Sequence, residues 1–443
     1  MNTLIVYAAL LCLGQAGTEP HAHGAMTEQG AVELAWTSSP RLAAARHARM
    51  AALVGADREK PVARPTLSAQ LEGRLQGPRV TFPRAGAEDA TVLPESYYRL
   101  KLEIEQPVYR PGVGAAWSRF RSAQLLAELE LLKTANEVAR DVRKAFHAVL
   151  LAEAALRVAE EGVKLAEAQR EQTRNLLAEG LVPPRDLTAS DADLAEAEQG
   201  LIRARNGLAL ARADLARLTG DRQAADARLE EMPLAADELP ELSALEAKAL
   251  AQRVELRQVR AGLESARAGL ALAKTQVQPM VSARALLARQ TGSAFERPAY
   301  AAGGLTITWN LLDGDKARLD ASEAAHHIAE LEAQEREARA GILLEVQKAW
   351  RDAQDARARL AAAERQVEAA SKSLEIARAR YEERAAIQLE VSGALFGVLR
   401  ARSNVAQARY DLRVALVELR YALGDDVPQS RQRVVGMNAP PAR

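Results

Sequence analysis

Residues 98–105 read Tyr98-Arg99-Leu100-Lys101-Leu102-Glu103-Ile104-Glu105, an unbroken alternation of apolar and charged side chains. A period of two puts Tyr98, Leu100, Leu102 and Ile104 on one face of an extended strand and the charges on the other. Residues 66–75 repeat the pattern, with Leu67, Ala69, Leu71, Gly73 and Leu75 alternating with Thr66, Ser68, Gln70, Glu72 and Arg74. Weaker counterparts fall in the second half, near residues 280–288 and 300–309. There Val281, Ala283, Ala285 and Leu287 share one face, as do Leu305, Ile307 and Trp309. A tilted membrane-spanning strand needs about 9–11 residues. Tyr97, Tyr98 and Trp309 lie near strand ends, where an interfacial aromatic girdle would be.

Outward from these strands the chain is helical and duplicated. Val142-Arg143-Lys144-Ala145-Phe146 returns as Val346-Gln347-Lys348-Ala349-Trp350, an offset of 346 − 142 = 204. The same offset carries Leu218-Thr219-Gly220-Asp221 onto Ala422-Leu423-Gly424-Asp425. Between them run two heptad ladders. Val142, Val149, Leu156, Val163 and Leu177 map onto Val346, Ala353, Leu360, Val367 and Tyr381. Leu187, Leu194, Leu201, Leu208 and Leu215 map onto Val391, Val398, Val405, Leu412 and Leu419. The strand regions match at 279 − 65 = 214 (Pro65 onto Pro279), so the extra residues of the first half fall in the Gly/Pro-rich stretch 76–94, expected as a long loop.

No proline occurs between Pro111 and Pro183 or between Pro298 and Pro428. A helix filling the first interval would be on the order of 100 Å long. A strict seven-residue apolar repeat predicts left-handed supercoiling against a partner helix. Turns at residues 180–184 and 384–388 would make each half one long antiparallel hairpin. Helices alone fit a soluble coiled-coil scaffold equally well. The strands decide, because an amphipathic β-hairpin in water needs a second layer, and the helices here already pair with each other. Four strands cannot close a barrel, and open edges are not tolerated in lipid, so several chains must supply the wall. Loop 76–94 would then be extracellular and the helical hairpins would lie on the opposite side.

The rest of the composition sets bounds. Lys+Arg and Asp+Glu both total 59, aromatics are 4% and charged residues 27%, which suits long helices and gives no field for nucleic acid. Residues 4–13 are apolar but too short to span a membrane as a helix, and Gly14-Gln15-Ala16 follows with small residues. Residues 1–16 therefore read as a signal peptide. Cys12 is the single cysteine, and Leu11 before it is too bulky for a lipobox. Residues 26–220 form the first repeat, 221–243 a polar linker, 244–424 the second repeat and 425–443 a flexible tail. His326-His327 point about 100° apart on a helix, a poor chelate. His47 and His147 are expected on helix surfaces, and His21-Ala22-His23 lies near the cleavage site. No nucleophile pair, phosphate loop or zinc spacing is present. No enzyme, cofactor or metal site is expected.

The order, duplication and spacing of these features resemble the TolC-like outer-membrane factor family over nearly the whole mature chain. The family's strand-to-helix junction (Pro-Leu-Phe-Asp-Gly-Gly) reads here Asn310-Leu311-Leu312-Asp313-Gly314-Asp315, and more loosely Pro107-Val108-Tyr109-Arg110-Pro111-Gly112. Its helical tip is matched by Gly180-Leu181-Val182-Pro183-Pro184-Arg185-Asp186-Leu187. The second tip, Arg384-Ala385-Ala386-Ile387-Gln388-Leu389-Glu390-Val391, keeps the acid and lacks the glycine. The resemblance implies a mainly α protein with β, a homotrimer whose twelve-stranded barrel in the Gram-negative outer membrane continues into a periplasmic α-helical coiled-coil barrel. It implies passive conduction of substrates from an inner-membrane pump through a periplasmic adaptor (membrane fusion) protein, in efflux or type I secretion. Gly180, Leu181 and Val182 would be the docking tip. Asp186 and Glu390 would ring the tunnel mouth, with Tyr381 at the gate-tyrosine position. The gate arginine's place is taken by Ala386, for which Arg185 is the available substitute. Glu72, Arg74, Arg99, Lys101, Glu103 and Arg284 would face the barrel lumen. The alternative is a soluble periplasmic coiled-coil scaffold or adaptor-like protein.

Overall fold

The computed structural model describes residues 25–58, 60–61, 64–231, 239–290 and 298–425. The expected signal peptide, His21, His23, and all of the tail beyond Asp425 lie outside the described residues. In the first half come α1 (Glu28–Ser38), α2 (Pro40–Arg58), β1 (Thr66–Leu75), β2 (Val80–Arg84), β3 (Ala87–Leu93), β4 (Ser96–Tyr109), α3 (Val113–Ala178) and α4 (Pro184–Thr219). The second half gives α5 (Leu242–Gln252), α6 (Val254–Thr275), β5 (Met280–Gln290), β6 (Ala299–Thr308), α7 (Lys316–Glu382) and α8 (Gln388–Leu423). Helices α3 and α7 have 66 and 67 residues, and α4 and α8 have 36 each.

Several features depart from the sequence reading. Stretch 76–94 is no simple loop: β2 and β3 pair in an antiparallel hairpin whose turn holds Gly86 at φ +77°. Strand β4 runs beyond residues 98–105 because its pairing with β5 continues to Tyr109 opposite Val281, through a register shift at Pro107 that tolerates the missing N–H. The first helix of each half is two helices. Pro40 has no N–H to carry α1 onward, and the N–H of Ser39 caps Ala35 O at 2.9 Å. Within the linker, Arg222–Ala225 make a 3₁₀ turn and Leu229 bridges to Met26.

Contacts divide the chain into two compact units, and each draws on both halves of the duplication. Unit 1 comprises residues 1–46, 132–253 and 342–443, as far as they are described. Its core is the heptad seam: Val142, Phe146 and Val149 of α3, Val346 and Ala353 of α7, Leu215 of α4, and Leu412 and Leu419 of α8 are buried. Ala353, Ala356, Ala363, Ala408 and Ala415 form one contiguous cluster, the small side chains through which α7 and α8 meet. Helices α4 and α8 stop at Gly220 and Gly424, both left-handed (φ +77° and +74°). The Gly220 turn is also crowded, since Ser38 Oγ donates to Thr219 O at 2.9 Å.

Unit 2 comprises residues 47–131 and 254–341. Besides the β2–β3 hairpin it holds a four-stranded antiparallel sheet in the order β1-β4-β5-β6, and its helices bury Phe120, Leu129, Leu256 and Leu263. Register pairs like with like: Leu67 opposes Ile104, Ala69 opposes Leu102 and Leu71 opposes Leu100, while Glu72 opposes Arg99. Among the described residues, no layer packs against the apolar face. Leu67, Leu71 and Leu75 are 72, 74 and 86% exposed, and Leu305 and Ile307 are similarly bare.

A Cβ at position 220 would sit 2.3 Å from Ser38 O, whereas one at Gly180, also left-handed (φ +69°), would meet nothing within 4 Å. Gly180→Ala should cost about 1–2 kcal/mol from backbone conformation alone. Gly220→Ala should cost about 2–4 kcal/mol, because the steric term adds. Guanidinium unfolding followed by helical circular dichroism in detergent measures both. Equal losses would contradict the packing described for Gly220.

Candidate functional site

The two hairpin tips in unit 1 are built alike. At the first, the Leu181 N–H bonds Leu176 O (2.8 Å) and the Gly180 N–H bonds Leu177 O (2.9 Å), a paired closure that needs a left-handed residue at Gly180. The second tip repeats it with Ala385 to Arg380 (2.7 Å) and Arg384 to Tyr381 (3.0 Å), and Arg384 takes the left-handed φ of +62°. Arg384 lies 204 residues after Gly180, the offset of the duplication, so the backbone turn persists where the glycine does not. A non-glycine residue there costs roughly 1–2 kcal/mol. Arg380 spans this turn, with Nη1 3.4 Å from Glu390 Oε2 and Nη2 donating to Ala385 O at 3.0 Å.

Gly180 and Arg185 are exposed, while Leu181 and Val182 are half-buried. Asp186 and Glu390 each stand in the first turn of their helix, α4 and α8, where a carboxylate favours the helix N-terminus. Arg185 Nε lies 3.5 Å from Asp186 Oδ1. Tyr381 is 4% exposed. Burial pushes its phenol above the ordinary tyrosine range, the Thr173 hydroxyl opposes this, and the Asp186 charge adds to it. Glu390 pairs with Arg380. The sequence reading passed over Ile387 and Leu389, which are 58 and 74% exposed at the second tip. Their signal was two apolar side chains flanking Gln388 outside the heptad ladder.

Just beyond the tips lies a buried polar layer, also missed. Gln169 Nε2 donates to Gln388 Oε1 (3.0 Å), and Gln388 Nε2 donates to Ser190 Oγ (3.2 Å). Ser190 Oγ donates to Thr173 Oγ1 (3.2 Å), and Ser392 Oγ donates to Asp193 Oδ2 (2.5 Å). Three helices, α3, α4 and α8, are thus joined by side chains that would be costly to leave unpaired. Ser190 and Gln388 sit three residues from ladder positions Leu187 and Val391, on the same helix face, so polarity at that spacing was the available signal.

On the sheet, Glu72, Arg74, Arg99, Lys101, Glu103 and Arg284 all fall on the polar face. Most of them have a partner on that face. Arg74 pairs with Glu72 at 2.9 Å, Lys101 with Glu103 at 2.6 Å and Arg284 with Glu105 at 3.2 Å. Arg99 Nε donates to Gln290 Oε1 at 3.1 Å. Tyr97 lies between the Arg74 and Arg99 guanidinium groups, 5.4 and 5.5 Å from its ring centroid, and its hydroxyl donates to Glu72 Oε1 at 3.1 Å. A face so paired presents contact chemistry for both charge signs and only a weak net field.

His147 is not on a helix surface, as expected, but 4% exposed. It lies on the seam side of α3, one residue beyond Phe146, and its ring stacks edge-on to that phenyl. Its Nε2 donates to Glu28 Oε2 at 3.1 Å, and Arg143 and Arg420 lie 3.0 and 3.4 Å from Glu28 Oε1. Burial opposes ionisation of Glu28, but the bond and charge of His147, then Arg143 and Arg420, win and lower its pKa below the ordinary 4.5. The cluster ties the start of α1 to α3 and α8. Among the described residues, no group of three or more His, Cys, Asp or Glu could hold a metal ion, and no helix is long and apolar enough to cross a membrane.

Duplicated helical hairpins, joined in one chain to an open antiparallel sheet with a bare apolar face, define a class of outer-membrane channel proteins. This chain belongs to the outer membrane efflux protein family, whose sequence model matches residues 31–221 and 245–425. It is accordingly an outer-membrane protein of efflux transport. Solved structures with the same fold include the outer membrane protein VceC from Vibrio cholerae (20% identity, TM-score 0.73, 90% of this chain and 96% of that one). The Campylobacter jejuni CmeC outer membrane channel is 14% identical (TM-score 0.73, 94% and 91%). The open state of the Neisseria gonorrhoeae MtrE outer membrane channel is 18% identical (TM-score 0.67, 90% and 88%). No curated protein matches the chain.

Two substitutions test this geometry. Gln388→Leu should lower stability by about 1–3 kcal/mol by stranding buried partners, and Gln169→Leu added to it should restore part of the loss. Additive losses would contradict the direct bond. For Glu28, a lowered folded pKa means stability that is complete above the ordinary carboxylate value and is lost as pH falls through the lowered one. Glu28→Gln should therefore be less stable than the natural protein near neutral pH, and the gap should close on acidification. A pH-independent gap would contradict this.

Proposed function

We propose that this protein is the outer-membrane conduit of a tripartite efflux or type I secretion system. One observation carries the reading: a four-stranded sheet with two open edges and a bare apolar face. In water that face would be a large exposed patch, and in lipid the edges β1 and β6 would be unpaired. Closure between copies satisfies both demands at once. Three copies give twelve strands, enough for a barrel, with the polar face inward. The helical hairpins then stand in the periplasm. Gly180, Leu181 and Val182, together with the exposed Ile387 and Leu389, meet a periplasmic adaptor protein, which passes cargo from an inner-membrane pump.

Conduction is passive, since none of the described chemistry couples an energy source. The pairing of Arg74 with Glu72, Lys101 with Glu103 and Arg284 with Glu105, beside Arg99 on Gln290, suits a barrel that admits cargo of mixed charge. Asp186 and Glu390, repeated in each copy, favour cations at the tunnel mouth, beside Arg185 and Tyr381. Family membership supports the channel over a soluble periplasmic scaffold, and the scaffold would also leave the apolar sheet face in water.

Single-channel recording in planar lipid bilayers tests the reading. The natural protein should give discrete, long-lived conductance steps with cation preference, and Glu390→Gln or Asp186→Asn should reduce that preference. Failure of a folded, helical preparation to insert would overturn the channel.

A further inference from the structure

Where the sheet of unit 2 gives way to helices, the chain gathers cations. Helix α2 ends on Arg58, Lys60 follows it, and Arg110 leads from β4 into α3. These three and Arg119 of α3 line a cleft of ≈ 350 Å³, together with apolar Val113 and Leu272. No carboxylate is among the described residues that line it. Gly112 (φ +79°) makes the turn and packs against α6 so closely that an added Cβ would lie 2.9 Å from Leu272 and 2.7 Å from Thr275. The turn is therefore fixed, and Arg110 is held at the cleft. The Lys60 ammonium stands 5.9 Å from the Trp117 ring centroid and 5.6 Å from that of Phe120, a seat that steadies a cation without neutralising it. Next to this cleft the surface turns apolar: Val108 and Tyr109, immediately before Arg110, are 63 and 51% exposed.

A lysine seated by aromatic rings, arginines lining the same cleft and exposed apolar side chains beside it match a ligand with an anionic head and a hydrocarbon body. Guanidinium groups grip phosphate oxygens in pairs, and a lysine adds a point charge. The cleft lies by the ends of β1 and β4 opposite the β2–β3 hairpin. If the sheet spans the membrane, as proposed above, this is the periplasmic border, at the depth of phospholipid phosphates. We propose that Arg58, Lys60 and Arg110 form a binding site for the phosphate of an anionic membrane phospholipid, whose acyl chains lie along the neighbouring apolar strand face. The site rests on the membrane reading of the sheet.

The full-length protein in mild detergent, titrated with dioctanoyl phosphatidylglycerol and read by native mass spectrometry, tests it. The natural protein should bind the lipid saturably, and Arg58→Gln/Lys60→Gln/Arg110→Gln should weaken binding at least about tenfold. If the triple variant does not fold, Arg110→Gln should weaken binding while Arg110→Lys keeps most of it. Equal binding by natural and folded variant proteins overturns the site. Displacement of the lipid by equimolar inorganic phosphate would mark a site for free phosphate and also overturn the proposal. Single-channel recording of the same variant separates the two readings. A variant that conducts like the natural protein but binds lipid no more weakly sinks the lipid site alone. Lipid binding by a natural protein that never conducts sinks the channel alone.

Discussion

A backbone amide in hydrocarbon has no water to fall back on, and an unmade hydrogen bond there costs several kcal/mol. In the proposed channel that constraint organises unit 2. Every strand of the sheet is paired except along the outer edges of β1 and β6. Along β1 and β4 the alternation of side chains is kept in register, so that one face is apolar and the other carries the ion pairs, whereas β5 is looser, with Arg289 opposite Leu100 and Leu286 opposite Glu103. In the proposed channel, the chain supplies a fraction of a wall whose remainder comes from other copies. Its neutralised polar face is consistent with this, because charges facing a shared interior are less costly when each already has a partner.

In unit 1 the organising element is the seven-residue repeat. Alanine-rich contacts between α7 and α8 allow close approach, and leucine and valine at ladder positions fix which faces meet. A seam made only of such residues is tolerant of sliding. The layer of Gln169, Thr173, Ser190, Gln388 and Ser392 removes that tolerance near the tips, since a shift of one heptad would strand several buried donors. Glu28, with His147 and Arg143, does the same for α1 at a second level.

Much of this architecture was legible in the sequence because it depends on periodicity. Period two marked β1 and β4, period seven marked the long helices, and prolines and glycines marked their ends. The hairpin β2–β3 was hidden because a stretch with Gly77, Pro78, Pro83 and Gly86 looks irregular, although Val80, Thr81 and Phe82 pair within it. The inner position of His147 was hidden for a different reason. Its burial depends on Glu28, which is 119 residues away, and no local pattern carries that distance. The same holds for the polar layer, whose members come from three helices. At the tips, sequence placed Gly180 and Asp186 in their turn. Arg384 shows that a backbone conformation can outlast the residue that favours it, held by the carbonyls of Arg380 and Tyr381.

The equal lengths of α4 and α8, with 36 residues each and matching glycine stops, have a consequence for how such a chain can change. Inserting one residue in either hairpin would lift its tip about 1.5 Å and rotate every later side chain by about 100°. The heptad seam and the polar layer would both be lost on that side. Compatible length changes therefore come in whole heptads and in both halves together. Longer or shorter hairpins would keep the seam and its stops matched only if both copies of the repeat changed in step.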